Sequence, residues 1–221
     1  CSQAGKSDAA LAAFGKLASD FPDSELAGEA AFRAGRLLEQ AGRLDDAVKR
    51  YSAVKDEFSD RAQFQIGQIA LTRQQWAEAR KRFEAALAKH PRSPVVPEMR
   101  LGLGEALLRL GAHEDAEREF REVLRATETV TAARAQYNLG EIGLARKEYA
   151  AAGREFLKVA ILYGYDDWKR KALVQTALAY EKAGEPERAA RYCDELIKTF
   201  PDSPETAEAQ TIRRRVAKPG E

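Results

Sequence analysis

An alanine recurs along this chain at a nearly fixed interval, each time with the same apolar followers, and that recurrence limits what the chain can fold into. The sets are Ala10/Phe14/Leu17, Ala47/Tyr51/Val54, Ala79/Phe83/Ala86, Ala116/Phe120/Val123, Ala152/Phe156/Val159 and Ala189/Cys193/Leu196. Successive alanines stand 37, 32, 37, 36 and 37 residues apart. Spacings of four and then three residues place each set on one face of a helix. Twelve residues before most of these alanines stands a second small residue, Gly35, Gly67, Gly104, Gly140 or Ala177. A small residue on one helix lets a second helix approach closely. Periods of this length belong to stacked helical units, none of which buries its apolar face alone.

The punctuation agrees. Glycines five residues ahead of the alanines, at Gly5, Gly42, Gly111 and Gly184, suit left-handed helix termini. Pro22, Pro91 and Pro201 close three units, since proline cannot continue a helix. The resulting map is a second-type helix over about 7–19, five helix pairs running to about 200, and a last helix over about 203–216. Trp76, His113, Tyr149 and Pro186 share one register position, the start of a second helix. Residues 1–221 read as a single array: a partial repeat 1–23, repeats at about 24–59, 60–92, 93–128, 129–165 and 166–202, and the final helix. Arg213, Arg214 and Arg215 suit a solvated terminal cap.

At these positions the chain resembles the tetratricopeptide repeat over essentially its whole length. Leu103-Gly104 and Leu139-Gly140 match the family's Leu-Gly hallmark, Ile66-Gly67 nearly matches, and the leading Trp is missing throughout. The resemblance implies an all-α fold, a right-handed α-solenoid of helix-turn-helix repeats with about 12 helices. Phe21-Pro22-Asp23-Ser24, His90-Pro91-Arg92-Ser93 and Phe200-Pro201-Asp202-Ser203 resemble junctions of the bacterial envelope subtype. That subtype includes the Tol-Pal-associated cell-division coordinator and the lipoprotein of outer-membrane barrel assembly. A periplasmic or outer-membrane-associated setting follows as an expectation, with the cytoplasm as the alternative. The register puts Cys1 in the middle of a first helix, so the chain reads as a fragment of a longer protein rather than as a mature lipoprotein start.

Composition excludes several classes. Thirty-six Lys and Arg against 35 Asp and Glu give a net charge of +1, without the basic excess of a nucleic-acid binder. No apolar run approaches the roughly 20 residues that span a bilayer; the longest candidate is Val159 to Tyr163. Cys1 and Cys193 make no disulfide framework.

No catalytic or cofactor constellation stands out. His113-Glu114-Asp115-Ala116-Glu117 opens like a zinc-protease motif but lacks the second histidine, and His90 sits at a helix end. Gly102-Leu103-Gly104 lacks the third glycine and the preceding strand of a dinucleotide site, so both glycines belong to helix packing. Asp45-Asp46 and Asp166-Asp167 fall at helix starts, where carboxylates cap free N–H groups and favour the dipole. Cys193 reads as a small core hydrophobe. The expectation is a non-enzyme with no cofactor and no metal.

The remaining function is recognition. The family's concave groove is lined by first-helix positions, which by register are Phe32, Arg36, Phe64, Gln68, Leu101, Glu105, Tyr137, Glu141, Val174 and Leu178. Apolar residues beside polar ones suit an amphipathic peptide or helix of a protein partner. Phe32, Phe64 and Tyr137 equally suit packing between repeats. The Lys and Asn carboxylate clamp of chaperone-tail binders is absent from these positions. Tyr163, Tyr165 and Trp168 form a secondary candidate cluster at a junction, where packing is the stronger reading. The rival functions are a spacer or oligomerisation segment of a longer array, and a regulatory arm of an enzyme whose catalytic domain lies elsewhere.

Overall fold

The computed structural model describes residues 2–21, 23–24, 26–55 and 57–217, with side chains from residue 9 onward. Its elements are α1 (Ser2–Asp20), α2 (Ala27–Gln40), α3 (Leu44–Ala53), α4 (Ser59–Thr72), α5 (Trp76–Lys89) and α6 (Val96–Arg109). They continue as α7 (His113–Ala126), α8 (Val130–Ala145), α9 (Tyr149–Leu162), α10 (Asp166–Lys182), α11 (Pro186–Thr199) and α12 (Pro204–Val216). No strand occurs among the described residues. The fold is a tetratricopeptide-type helical repeat array, as the register predicts, and α5, α7, α9 and α11 start on the four residues that share one position. The chain divides into two compact units, residues 1–110 and 111–221.

In unit 1 each helix packs on the one before it, and α4 also meets α6. Unit 2 does the same, with further contacts from α8 to α10 and from α10 to α12. What allows this is the small residue on each first helix. A methyl added at Gly35 would lie 2.6 Å from the Tyr51 ring, at Gly67 2.5 Å from Phe83, and at Gly140 2.6 Å from Phe156. Gly102 meets the other face of Phe83, so that ring is held between α4 and α6. Tyr51, Phe83 and Phe156 are fully buried, which stabilises each unit by about 2–3 kcal/mol per ring.

The turns inside the helix pairs are left-handed. Gly42, Gly111 and Gly184 have φ of 73°, 77° and 74°, a region open to glycine at little steric cost. Gln74 and Lys147 adopt the same conformation, with φ of 57° and 62°, at matching register positions. Gly5 does not turn: α1 runs through it, and a single helical glycine costs only about 1 kcal/mol. The junctions between pairs use a different device. Ser24, Ser93 and Ser203 donate their N–H to the carbonyls of Phe21, His90 and Phe200 at 3.1, 3.2 and 3.1 Å. Proline pre-sets φ at the second position of such a turn, which explains the sequence phrase at Pro91 and Pro201. Cys1 and Pro22 lie outside the described residues.

One expectation about charge is corrected and another is extended. Asp45 and Asp46 stand in the first turn of α3, and Asp166 and Asp167 in that of α10, but no side-chain cap bond forms at either helix. Asp46 instead accepts from Arg43, which holds its carboxyl below the usual range, and Asp45 pairs with Arg73 at 2.8 Å. The terminal arginines are tied down rather than only solvated, Arg213 to Asp194 at 2.9 Å and Arg215 to Glu181 at 2.6 Å.

Candidate binding face

First-helix aromatics that pack against Tyr51, Phe83 and Phe156 from the surface side form a second, shallower layer. In unit 1, half-buried Phe32 lies 5.6 Å from the Tyr51 ring and stacks on Phe58 at 5.8 Å. Tyr51 is anchored beneath it by donating its hydroxyl to Glu39 at 2.7 Å. The Arg61 guanidinium sits 5.7 Å from the centre of the Phe58 ring. Phe64, also half-buried, tilts against Phe83 at 6.3 Å. Arg36 is exposed one turn beyond Phe32, while Gln68 and Glu105 are partly exposed. Each aromatic therefore packs one face on the core and leaves the rest at the surface, so the packing and surface readings both apply.

In unit 2, half-buried Tyr137 lies 4.9 Å from Phe156 and 5.4 Å from Trp168, both edge-on. The Lys171 ammonium stands 5.0 Å from the Trp168 ring centre. Burial raises the Tyr137 phenol pKa, and the carboxylates of Glu141 and Glu208 push it the same way. Aromatic rings flanked by charges of both signs thus lie together at this surface.

The structure does not bring the whole predicted set to this surface. Leu101 and Val174 are each only 3% exposed and belong to the core, and Leu178 packs against it while partly exposed. The register carries positions between repeats but not how far neighbouring side chains cover each one. Of the junction cluster, Tyr163 and Trp168 pack on the core of unit 2, and Tyr165 stays exposed. Sequence reasoning missed Phe58, which completes the layer under Phe32; its signal was the short interval of 32 residues, which ends α3 early and brings the following loop onto α2.

The histidines and the buried cysteine stand apart from this face. His90 Nε2 is 3.4 Å from the Ser59 hydroxyl at the end of α5. Cys193 is buried, and desolvation raises its thiol pKa to about 11. Among the described residues no three or more His, Cys, Asp or Glu side chains gather as metal ligands, and no helix is long and apolar enough to cross a membrane.

Family profiles described as tetratricopeptide repeat match residues 2–62, 64–131 and 120–167, and a second such profile matches 171–203. A search of curated proteins found no match. Among solved structures, the chain is similar to YrrB, described as a tetratricopeptide protein with an unusual peptide-binding site. The two share 19% identity over 90% of this chain and 98% of that one, with a TM-score of 0.65. It is similar to PilW, a widely conserved type IV pilus biogenesis factor, at 19% identity over 95% and 92% of the two chains and a TM-score of 0.70. A tetratricopeptide repeat protein of Parabacteroides merdae gives 18% identity over 97% and 80%, with a TM-score of 0.71.

Proposed function

Because the chain belongs to the tetratricopeptide repeat family, we propose that it is a non-catalytic scaffold that holds a peptide or helical segment of a partner protein on its first-helix faces. The observation that carries this is the recurring layer of half-open rings, Phe32, Phe64 and Tyr137, each backed by a buried ring of its own repeat and flanked by a polar residue one turn on. Backed rings are already ordered, so this chain loses little side-chain entropy when a partner covers them. Arg36, Gln68 and Glu141 set the polar rim. Leu101 and Val174 take no part. Likeness to a protein described by its peptide-binding site supports the class of ligand.

The setting we propose is a bacterial envelope-associated complex, of the subtype that includes the Tol-Pal-associated coordinator and the barrel-assembly lipoprotein. The three x-Pro-x-Ser junctions support it, as does the likeness to a type IV pilus biogenesis factor. The test is affinity capture from a bacterial envelope extract with wild type and an Arg36→Glu/Gln68→Glu variant. Both substitutions are at surface positions, and circular dichroism and thermal melting verify that the variant is folded. A partner retained by wild type and lost by the folded variant supports the reading. Equal capture by both sinks it and favours a spacer or oligomerisation segment.

A further inference from the structure

A notch opens on unit 1 away from the first-helix rings, between α3, α4 and α5. Its volume is about 140 Å³. Val48, Ile66, Ile69 and Ala70 form an apolar floor, and Glu78 and Arg82 stand at the rim. The same notch exists in unit 2 between α9, α10 and α11, and there the chain fills it. Counting from the recurring alanines and small residues, Val48 corresponds to Gly153, Ala70 to Tyr180, Glu78 to Arg188 and Arg82 to Tyr192. Tyr180 is fully buried, with its ring 3.1 Å from where a Gly153 Cβ would lie. The Arg188 guanidinium stands 4.2 Å from its centre, and Tyr192 stacks on it at 5.7 Å.

We propose that the unit 1 notch is a binding site for a phenol ring, supplied as a tyrosine side chain of a protein partner. Unit 2 shows that this arrangement of three helices accommodates a phenol against Gly153; in unit 1 Val48 faces the space, Ala70 leaves it open, and the ring is left to come from outside. The rim chemistry also selects a phenol. Where unit 2 places a cation, unit 1 places the Glu78 carboxylate, held by Arg82 at 2.6 Å. A carboxylate accepts a hydrogen bond from a phenol O–H, and such charge-assisted bonds are the stronger kind. The Tyr180 hydroxyl has no such acceptor and makes no hydrogen bond. The notch thus complements a donor on an aromatic ring better than a plain hydrocarbon. This site is independent of the first-helix faces: it shares no residue with them, and the failure of one leaves the other standing.

The test uses the full chain with labelled methyl groups, titrated with p-cresol, toluene and N-acetyl-tyrosinamide while the Val48, Ile66 and Ile69 methyls are followed by NMR. The expected result is saturable ring-current shifts confined to those methyls with p-cresol and N-acetyl-tyrosinamide, and at least threefold weaker binding of toluene. Ala70→Tyr with Val48→Gly reproduces the filled arrangement of unit 2, closes the notch from within and abolishes the shifts at Ile66 and Ile69. Should that variant fold poorly, Val48→Phe fills the notch from α3, at a partly exposed position, and gives the same reading. Absence of localised shifts at tens of millimolar p-cresol overturns the site, as does unchanged binding by either filled variant. Binding of p-cresol without N-acetyl-tyrosinamide overturns the side-chain occupant.

Discussion

In unit 1 the bulk between paired helices sits on the second helix: Phe83 lies between Gly67 and Gly102, and one turn along the first helix stands only Ala70. In the last repeat of unit 2 the bulk has moved. Cys193 replaces the ring, Ala177 replaces the glycine, and Tyr180 on the first helix takes the volume that Ala70 leaves open. Interiors pack at nearly constant density, so a repeat that shrinks one side chain must enlarge another. Unit 2 makes the exchange fully. Unit 1 keeps its ring and adds no second one, and the shortfall is the notch beside Val48 and Ala70.

Tyr180→Ala tests this contrast most severely. It empties the space between α9, α10 and α11, and Gly153 offers no side chain to collapse into it. Aromatic-to-alanine changes in cores cost about 3–5 kcal/mol, and a loss in that range is expected from urea unfolding monitored by circular dichroism. Ala70→Tyr combined with Val48→Gly should go the other way, raising the melting temperature, whereas Ala70→Tyr alone should not, because Val48 stands where Gly153 makes room for the ring. A loss below about 1 kcal/mol for Tyr180→Ala would mean that the ring is not the filler that the contrast requires.

Next in size is the seat of the core ring. A methyl at Gly67 or Gly140 would stand 2.5 or 2.6 Å from Phe83 or Phe156, well inside contact distance. Gly67→Ala and Gly140→Ala should each destabilise by about 1–3 kcal/mol through overpacking, despite alanine's better helix propensity. The pair Ala177 and Cys193 predicts the remedy. In a Phe83→Cys background the penalty of Gly67→Ala should vanish, an interaction that a double-mutant cycle by denaturant unfolding measures directly. Additivity of the two changes would dismiss the exchange.

How much of this was legible beforehand follows from the same residues. The helices, their starts at Trp76, His113, Tyr149 and Pro186, and the glycine seats could be read because each repeats at one register position, and repetition turns a weak local signal into a strong one. The notch was not legible. It depends on Val48 and Ala70 jointly, on separate helices, and each is ordinary alone. The candidate face was half legible: register located Phe32, Phe64 and Tyr137, but Leu101 and Val174 share that register position and are buried, and a position alone does not say how far its neighbours cover a side chain. Gly5 misled because a turn glycine and a tolerated helix glycine look alike in sequence.

Cys193 allows a smaller test with a definite sign. Its thiol pKa rises to about 11 from an ordinary value of 9.0 because burial disfavours the thiolate. A raised pKa stabilises the fold fully below the unfolded value, and that contribution is lost as pH rises from about 9 towards 11. Wild type should therefore lose stability across that window by up to about 1 kcal/mol per pH unit more than Cys193→Ala does. Parallel unfolding curves for the two proteins over this range would show that the small residue of the exchanged repeat is not sealed from water. The thiol should also resist alkylation until the chain unfolds.

The smallest effect concerns the turns, where one turn in each unit departs in the same way from the glycine turns. Gln74 and Lys147 adopt left-handed φ without being glycine, and each follows an arginine tied to the preceding second helix. Arg73 meets Asp45 at 2.8 Å in unit 1; in unit 2 Arg146 meets Glu117 at 2.7 Å and Glu114 at 3.1 Å. At the glycine turns the matching residues are Ala41, Leu110 and Ala183, which carry no charge. The ion pair and the strained turn therefore travel together, and the pair holds the chain in a conformation that costs a non-glycine residue about 1 kcal/mol. Gln74→Gly and Lys147→Gly should each stabilise by about 0.5 kcal/mol, since the relief of strain exceeds the added entropy of the unfolded chain. Arg73→Ala should then cost less in the Gln74→Gly background than in wild type, because a glycine turn needs less holding. Equal costs in the two backgrounds, measured by thermal unfolding, would separate the ion pair from the turn and leave its recurrence in both units without a mechanical reason.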